Sequence, residues 1–277
     1  MGRQTAIPLK LVFMVALLFV TPLFAQFSFP AMGGRSAAMG GSAVALGDEE
    51  SAMHNIAALA QVDNFAVAAS FRQGFMEEGM GCASFGGVVP VGFGAGALTF
   101  LHFGNVDYNE QSVNLLYGIP IGQRIAMGVG FHYLHSGTSD LYYEPLNRMT
   151  FSLALRYAPS KAFSVGFRAF NPSAVVSDAD ASPRLPALLN LGLSYRLTEQ
   201  LLAVAEVEKD LQHLATLRFG VEYLFHEVYA FRVGVNTQPA LYTFGFGLRK
   251  EHFGADIAAE FHSVLGLTPQ LSLNYRF

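Results

Sequence analysis

The sequence predicts an all-β protein, a transmembrane antiparallel β-barrel of about 14 strands with a small N-terminal plug segment. The chain is hydrophobic overall, with 52% hydrophobic and 14% charged residues and a positive mean hydropathy. Beyond residue 25, however, no run of about 20 residues is apolar throughout, as a membrane helix requires. From Asn64 onward apolar and polar residues alternate instead. A hydrophobic chain whose apolar residues fall at every second position is typical of a membrane barrel.

Residues 1–25 have the pattern of a secretory signal peptide. Arg3 and Lys10 are basic, residues 11–20 form an apolar core, and Leu23-Phe24-Ala25 offers a cleavage site. The alternative is an N-terminal membrane anchor, but the apolar core is too short to span a bilayer comfortably. We therefore expect an exported protein in the cell outer membrane, surrounded by outer-membrane lipid.

Residues 26–63 do not alternate and are rich in Gly and Ala. Small residues let the backbone pack tightly in a confined space, so we expect a hatch or plug segment inside the barrel of residues 64–277. A loose periplasmic leader is the alternative. The segment also carries an acidic cluster, Asp48-Glu49-Glu50, and the stretch from Asn55 to Leu59.

These features resemble the N-terminal segment of the long-chain fatty-acid transporter (FadL-like) superfamily and of its Bacteroidetes relatives, the PorV and PorQ barrels of type IX secretion. The family has a small-residue run with Met-Gly-Gly, then an acidic cluster, then an Asn-Pro-Ala motif followed by leucine. Here Met39-Gly40-Gly41, Asp48-Glu49-Glu50 and Asn55-Ile56-Ala57-Ala58-Leu59 occupy those places. Ile56 stands where the family has its proline.

The alternation divides residues 64–277 into segments of the length that tilted membrane strands require. The spacers after even-numbered strands are tight and most of those after odd-numbered strands are longer, which indicates that both chain ends are periplasmic. The last strand ends on an aromatic residue, Phe277, and resembles the insertion signal of outer-membrane barrels. The predicted strands are residues 64–72, 81–89, 91–103, 110–119, 124–135, 148–157, 162–171, 187–197, 201–209, 214–225, 228–236, 242–249, 252–262 and 268–277.

Charged side chains within these strands share the register that faces the lumen, because charge on the lipid face costs about 2–4 kcal/mol near the midplane. We expect the plug to be anchored where it enters, by pairing between its acidic cluster and arginines of the wall, since Arg–carboxylate contacts are bidentate and specific. The alternative is that these arginines pair only with carboxylates of the wall. The predicted plug residues are Asp48, Glu49, Glu50 and Asn55, and the predicted lumen arginines near the periplasmic end are Arg156, Arg196, Arg249 and Arg276.

Small residues on two predicted strands would leave room for the plug on one side of the lumen. They are Gly92, Gly94 and Gly96 on one strand and Ala126, Gly128 and Gly130 on another. In the same register Leu98 and Phe100 are among the few large apolar side chains predicted to face inward.

The sequence does not favour an enzyme. No Ser or Cys stands in a nucleophile motif, and no close His pair has metal-ligand spacing on one face, so we expect no catalytic, cofactor-binding or metal-binding residues. The net charge of −4 argues against nucleic acid as a partner. The single cysteine, Cys82, excludes an internal disulfide framework.

Two function classes remain. The resemblance to PorV and PorQ implies an accessory barrel of type IX protein secretion, which would bind a secretion-machinery protein through outer loops around residues 73–80 and 172–186. The other class is a FadL-like channel for the uptake of hydrophobic small molecules. The short chain and the charges of both signs in the lumen favour the accessory barrel, because a lipid channel should line its path with apolar side chains.

Overall fold

The computed structural model describes residues 32–47, 54–140, 142, 144–175, 185–210 and 213–277. They form one closed barrel of 14 antiparallel strands, in which each strand pairs with its neighbours in the sequence and β14 pairs with β1. The predicted fold class is therefore confirmed. The predicted signal peptide and the acidic cluster Asp48-Glu49-Glu50 lie outside the described residues. The strands are β1 Ala66–Gln73, β2 Gly81–Val91, β3 Gly94–Gly104, β4 Tyr108–Ile121, β5 Ile125–Thr138, β6 Leu146–Tyr157, β7 Phe163–Phe170, β8 Leu188–Arg196, β9 Leu201–Asp210, β10 Thr216–Phe225, β11 Tyr229–Thr237, β12 Ala240–Lys250, β13 Phe253–His262 and β14 Gly266–Arg276.

Each strand predicted from the alternation is present, and only the ends differ. The largest extension is in the β4–β5 hairpin, where pairing continues from Tyr108 opposite Thr138. This part of the hairpin carries mostly polar residues on both faces. Apolar and polar residues no longer alternate there, so the predicted strands end before the observed backbone pairing does.

The barrel closes between β1 and β14. Their ladder runs from Ala66 opposite Arg276 to Arg72 opposite Gln270, and the backbone N–H of Phe277 donates to the carbonyl of Phe65 at 2.9 Å. The Phe277 ring also lies 4.9 Å from the Phe65 ring. Closure pairs the backbone groups of the two edge strands, which lipid cannot satisfy.

The two faces of most strands follow the predicted register. On β10, Phe219 and Tyr223 are 46% and 42% exposed on the outer face, whereas Glu222 between them is 4% exposed and faces the lumen. The outer surface is therefore apolar, and the charged side chains of the strand interiors lie inside the barrel.

Strand β3 has the opposite register from the one predicted. Leu98 and Phe100 are 59% and 43% exposed and face outward, whereas Ala97 and Thr99 face the lumen. Neither face of the strand carries a charged residue, and small residues occur on both, so the pattern does not distinguish the faces. Gly94 and Gly96 consequently belong to the outward register.

The connections define two ends of the barrel. We call one end the turn end because its connections are short: residues 92–93, 122–124, 158–162, 197–200, 226–228 and 251–252. The opposite end, here the loop end, carries the three longest connections, residues 74–80, 139–145 and 171–187. Within the described part of the chain, no helix has the length and apolar character needed to cross a membrane.

Candidate functional site in the barrel lumen

The described N-terminal residues lie inside the barrel. We call residues 32–47 and 54–62 the N-terminal segment; it contains a short helix, α1 (Gly34–Ala38), and a 3-10 helix, Ile56–Gln61. Helix α1 contacts β11 to β14, and the 3-10 helix contacts β3 to β6. Met39 and Leu59 are fully buried. The segment therefore packs against both sides of the inner wall.

Glycines on the inner wall allow this close approach. A Cβ atom at Gly166 would overlap the carbonyl oxygen of Val44, and one at Gly128 would lie 2.6 Å from the carbonyl carbon of Ile56. Other wall glycines are in similar contact with the segment: Gly118, Gly192, Gly220, Gly234 and Gly245. A side chain at any of these positions would force the segment away from the wall.

Asn55 is fully buried and links two parts of the segment. Its side-chain oxygen accepts from the backbone N–H of Ala57 at 3.0 Å, which caps the 3-10 helix, and its amide donates to the carbonyl of Val44. Ile56 is the first residue of this helix. The backbone N–H of the first helical residue has no acceptor within the helix, so proline is not required at this position. Isoleucine can begin the helix where the FadL-like superfamily has proline.

An ion cluster joins the segment to four strands, β10 to β13. Arg35 of helix α1 binds both carboxylate oxygens of Glu222, each at 2.8 Å. Arg232 bridges Glu222, at 2.6 Å, and Asp256. Arg249 reaches Glu222 at 3.3 Å. We call these five residues the ion cluster; the bidentate contact of Arg35 fixes the position of α1 against β10.

Polar side chains of the wall satisfy the backbone of the segment at further points. The Glu206 carboxylate accepts from the N–H groups of Ala43 and Val44 at 2.9 and 3.0 Å. The Thr243 hydroxyl accepts from Gly40 and donates to the carbonyl of Ala38. Because an irregular backbone away from water needs such partners, these contacts stabilise the path of the segment.

The segment lies between two cavities. The turn-end cavity has a volume of about 470 Å³, and the predicted lumen arginines Arg156, Arg196, Arg249 and Arg276 all line it. Arg249 also belongs to the ion cluster, and Arg156 donates to the carbonyl of Ala45 at 3.3 Å. Gly47, the residue before the acidic cluster in the sequence, lines the same cavity. The structure thus brings the four arginines together.

The loop-end cavity is larger, about 600 Å³, and extends from the N-terminal segment to residues of the loop end such as Phe75 and Leu214. One part of its lining is polar, with Ser84, Thr99 and Asn114. Another part is apolar: Leu134 and Phe170 form a buried cluster, with Leu188 packed against it. This cavity could hold a small molecule of mixed polarity.

His54 of the segment also lines the loop-end cavity. Burial lowers the pKa of its imidazole to about 4, so His54 is neutral at pH 7. Its Nε2 atom lies 2.8 Å from the carbonyl oxygen of Met32, and as an N–H it donates to that oxygen.

One hydrogen-bonded row in the wall has the connectivity of a hydrolytic triad. His132 lies 2.7 Å from Ser152 Oγ through Nε2 and 2.7 Å from Asn114 Oδ1 through Nδ1. Ser152, however, is fully buried and does not line the cavity. A nucleophile must reach its substrate, so this row is a brace between β4, β5 and β6 rather than a reaction centre. Among the described residues no group of His, Cys, Asp and Glu is arranged to hold a metal ion.

The sequence reasoning missed Arg35, the residue that joins the segment to the ion cluster. It is the one Arg or Lys between residues 26 and 63, and it stands in a run of small, uncharged residues. A single arginine in such a run is a signal for a buried partner, because a buried arginine needs a carboxylate or carbonyl.

The sequence matches no protein-family model and no curated protein. Solved barrel structures resemble it in fold. The Ralstonia pickettii toluene transporter TbuX has 12% sequence identity and a TM-score of 0.67, over 91% of this chain and 100% of that chain. A Pseudomonas aeruginosa FadL homologue has 11% identity and a TM-score of 0.63, over 88% and 98%. The CymD monoaromatic hydrocarbon channel has 12% identity and a TM-score of 0.65, over 89% and 97%.

The chain shares the barrel fold of these neighbours. By name one is a toluene transporter, one is a FadL homologue and one is a monoaromatic hydrocarbon channel. The coarser resemblance predicted from the N-terminal motifs, to FadL-like barrels, is supported by this likeness of fold. The finer resemblance to PorV and PorQ stays a prediction.

Proposed function

We propose that the protein is an outer-membrane channel for small, largely hydrophobic molecules, which enter the loop-end cavity. The observation that carries the proposal is this cavity of about 600 Å³, which reaches the loop end and contains the apolar cluster around Phe170. Its fold neighbours include a toluene transporter and a monoaromatic hydrocarbon channel, which supports the same class of ligand. In this proposal the turn end is periplasmic.

The charges in the lumen do not argue against a channel. On the sequence alone, charges of both signs in the lumen favour the accessory barrel of type IX secretion. In the structure, Arg232 binds both Glu222 and Asp256, and Glu222 also binds Arg35, so these charges are paired within the protein. None of the described residues forms a feature that favours a secretion partner, and the fold neighbours fit the channel better.

We also propose that the segment of residues 26–63 closes the lumen as a plug. Its described part separates the two cavities and is bound to the wall by the ion cluster and Glu206. Asp48, Glu49 and Glu50 would add contacts to the arginines of the turn-end cavity, since Gly47 lines that cavity. This pairing rests on complementary charge and on adjacency in the sequence.

Uptake by whole cells tests the channel. Thr99 faces the loop-end cavity, so Thr99→Trp should narrow it, whereas Leu98→Trp adds the same side chain to the outer surface of the same strand. Cells that express the protein should take up radiolabelled toluene faster than cells that lack it. The Thr99→Trp variant should fall toward the rate of cells without the protein, and Leu98→Trp should match the parent. Equal uptake by all of these cells would reject the channel.

Purification from the native membrane in mild detergent separates the two function classes. A channel should be recovered with a bound hydrophobic molecule, detected by mass spectrometry, and without a stoichiometric protein partner. A secretion-associated barrel should bring such a partner and no small molecule. The second result would replace the channel with the accessory barrel.

A further inference from the structure

Arg168 of β7 lines the loop-end cavity and has no polar partner there. Among the described residues, no side chain or backbone group forms a hydrogen bond or ion pair with it; its Nε atom is buried and unbonded. Among the charged groups of the described residues, Glu208, Glu206 and Arg218 act on it. An arginine offers five N–H donors, and a buried one without acceptors is costly unless a ligand or water supplies them.

The two neighbouring carboxylates are already occupied. Arg218 donates to Glu206 at 3.3 Å and to Glu208 at 2.6 Å. Asn190 donates to the same two carboxylates, at 2.8 and 2.9 Å, and Glu206 also binds the N-terminal segment. Two arginines, Arg168 and Arg218, face two carboxylates, so the positive and negative charges balance. Arg168 therefore offers the cavity unused N–H donors rather than an excess of charge.

An apolar surface adjoins these donors. The guanidinium carbon of Arg168 lies 5.5 Å from the centre of the Phe170 ring, and Phe170 packs with Leu134 and Leu188. Ser112 and Asn114, which also line the cavity, are polar. A ligand with a short apolar body would stay on the apolar surface, whereas a long alkyl chain would extend beyond it over hydroxyl and amide groups.

We propose that Arg168 binds the carboxylate of a compact organic acid, an aromatic or short-chain one, whose apolar body lies against Phe170, Leu134 and Leu188. A carboxylate presents two coplanar oxygens that accept two parallel N–H bonds from a guanidinium, and such charge-assisted bonds are about twice as strong as neutral ones. The inference deepens the proposed channel by naming the ligand class. It adds a carboxylate to the largely hydrophobic ligands that the channel is proposed to take.

Calorimetric titration of the purified protein with benzoate and its neutral isostere benzamide tests the site. Benzoate should bind about tenfold more tightly or better, equivalent to about 1.4 kcal/mol. Arg168→Gln should remove this preference, and Arg168→Lys, which keeps the charge but not the fork of donors, should retain part of it. Arg124→Gln, at an exposed turn-end position, is the control and should bind benzoate as the parent does. Octanoate should bind more weakly than benzoate.

Equal affinity for benzoate and benzamide in the parent protein would mean that Arg168 binds water only, and would overturn the inference without any variant. Full benzoate affinity in Arg168→Gln would overturn it as well, and tighter binding of octanoate would overturn the compact ligand class. The titration measures binding to the purified protein and does not depend on transport. Uptake of toluene that Thr99→Trp blocks, together with no preference for benzoate, would therefore leave the channel standing and reject the anion site alone.

Discussion

Gly166 shows how a single wall residue sets the fit of the N-terminal segment. Its missing side chain lets the carbonyl of Val44 approach the backbone of β7. Gly96 is its counterpart on the outward register, where an added Cβ would lie 3.7 Å from its nearest neighbour, in ordinary contact. The two glycines allow the same substitution to be compared with and without a clash.

We predict that Gly166→Ala loosens the segment while the barrel remains folded. Overpacking costs about 1–3 kcal/mol, which corresponds to a roughly 5- to 150-fold larger population of the released segment. Trypsin cleavage after Arg35, which is buried in the docked segment, should accelerate by a similar factor. Gly96→Ala should be cleaved at the parent rate. Equal cleavage of all three proteins would contradict the close packing at Gly166.

The ion cluster predicts an order among substitutions. Glu222→Gln leaves Arg35, Arg232 and Arg249 with one described carboxylate, Asp256, and should cost about 3–5 kcal/mol of unfolding free energy. Arg35→Gln leaves Glu222 with two arginines and should cost about 1–3 kcal/mol. The double variant should lose less unfolding free energy than the two single variants lose together. Urea titrations followed by gel migration measure all three, and Arg124→Gln should leave the midpoint unchanged. An additive double variant would mean that the two side chains are not coupled.

At the scale of elements, the strands were predictable and the path of the N-terminal segment was not. Alternation with period two is a local signal, and it identified each strand because one face meets lipid. It failed for the faces of β3, where Ala97 and Leu98 are both apolar. The contact between Arg35 and Glu222 joins residues 187 positions apart, and no periodicity encodes such a pairing. The four arginines that line the turn-end cavity share the inward register and one end of the barrel, and both are local features of the sequence.

Removal of the N-terminal segment tests its role as an element. We predict that deletion of residues 26–63, with residues 1–25 retained, raises the single-channel conductance in planar bilayers, because the two cavities would join. The substitutions Asp48→Asn, Glu49→Gln and Glu50→Gln together should raise the frequency of openings without reaching the conductance of the deletion. Conductance that is the same with and without the segment would mean that it does not close the lumen.

At the scale of the whole molecule, stability comes from the unbroken ladder around the barrel. Each strand shares its backbone hydrogen bonds with two others, and the β1–β14 pairing completes the circle. The last contacts of that closure are made by Phe277, through its N–H to Phe65 and through its ring to Phe65 and Tyr275. A closed barrel resists detergent at room temperature because opening it exposes paired backbone groups to an environment that cannot satisfy them.

We therefore predict a heat-modifiable outer-membrane protein. Without boiling, the compact barrel should migrate faster in a detergent gel than the boiled, unfolded chain. Deletion of Phe277 should reduce the fast-migrating fraction, because it removes one backbone bond and two aromatic contacts, each aromatic pair worth about 0.5–1.5 kcal/mol, from the closing pair of strands. Val264→Ser, at an exposed loop-end position, should leave that fraction unchanged. A protein that fractionates with soluble periplasmic material and migrates identically before and after boiling would contradict the membrane barrel itself. A Phe277 deletion that folds as well as the parent would show that the ladder closes without this residue.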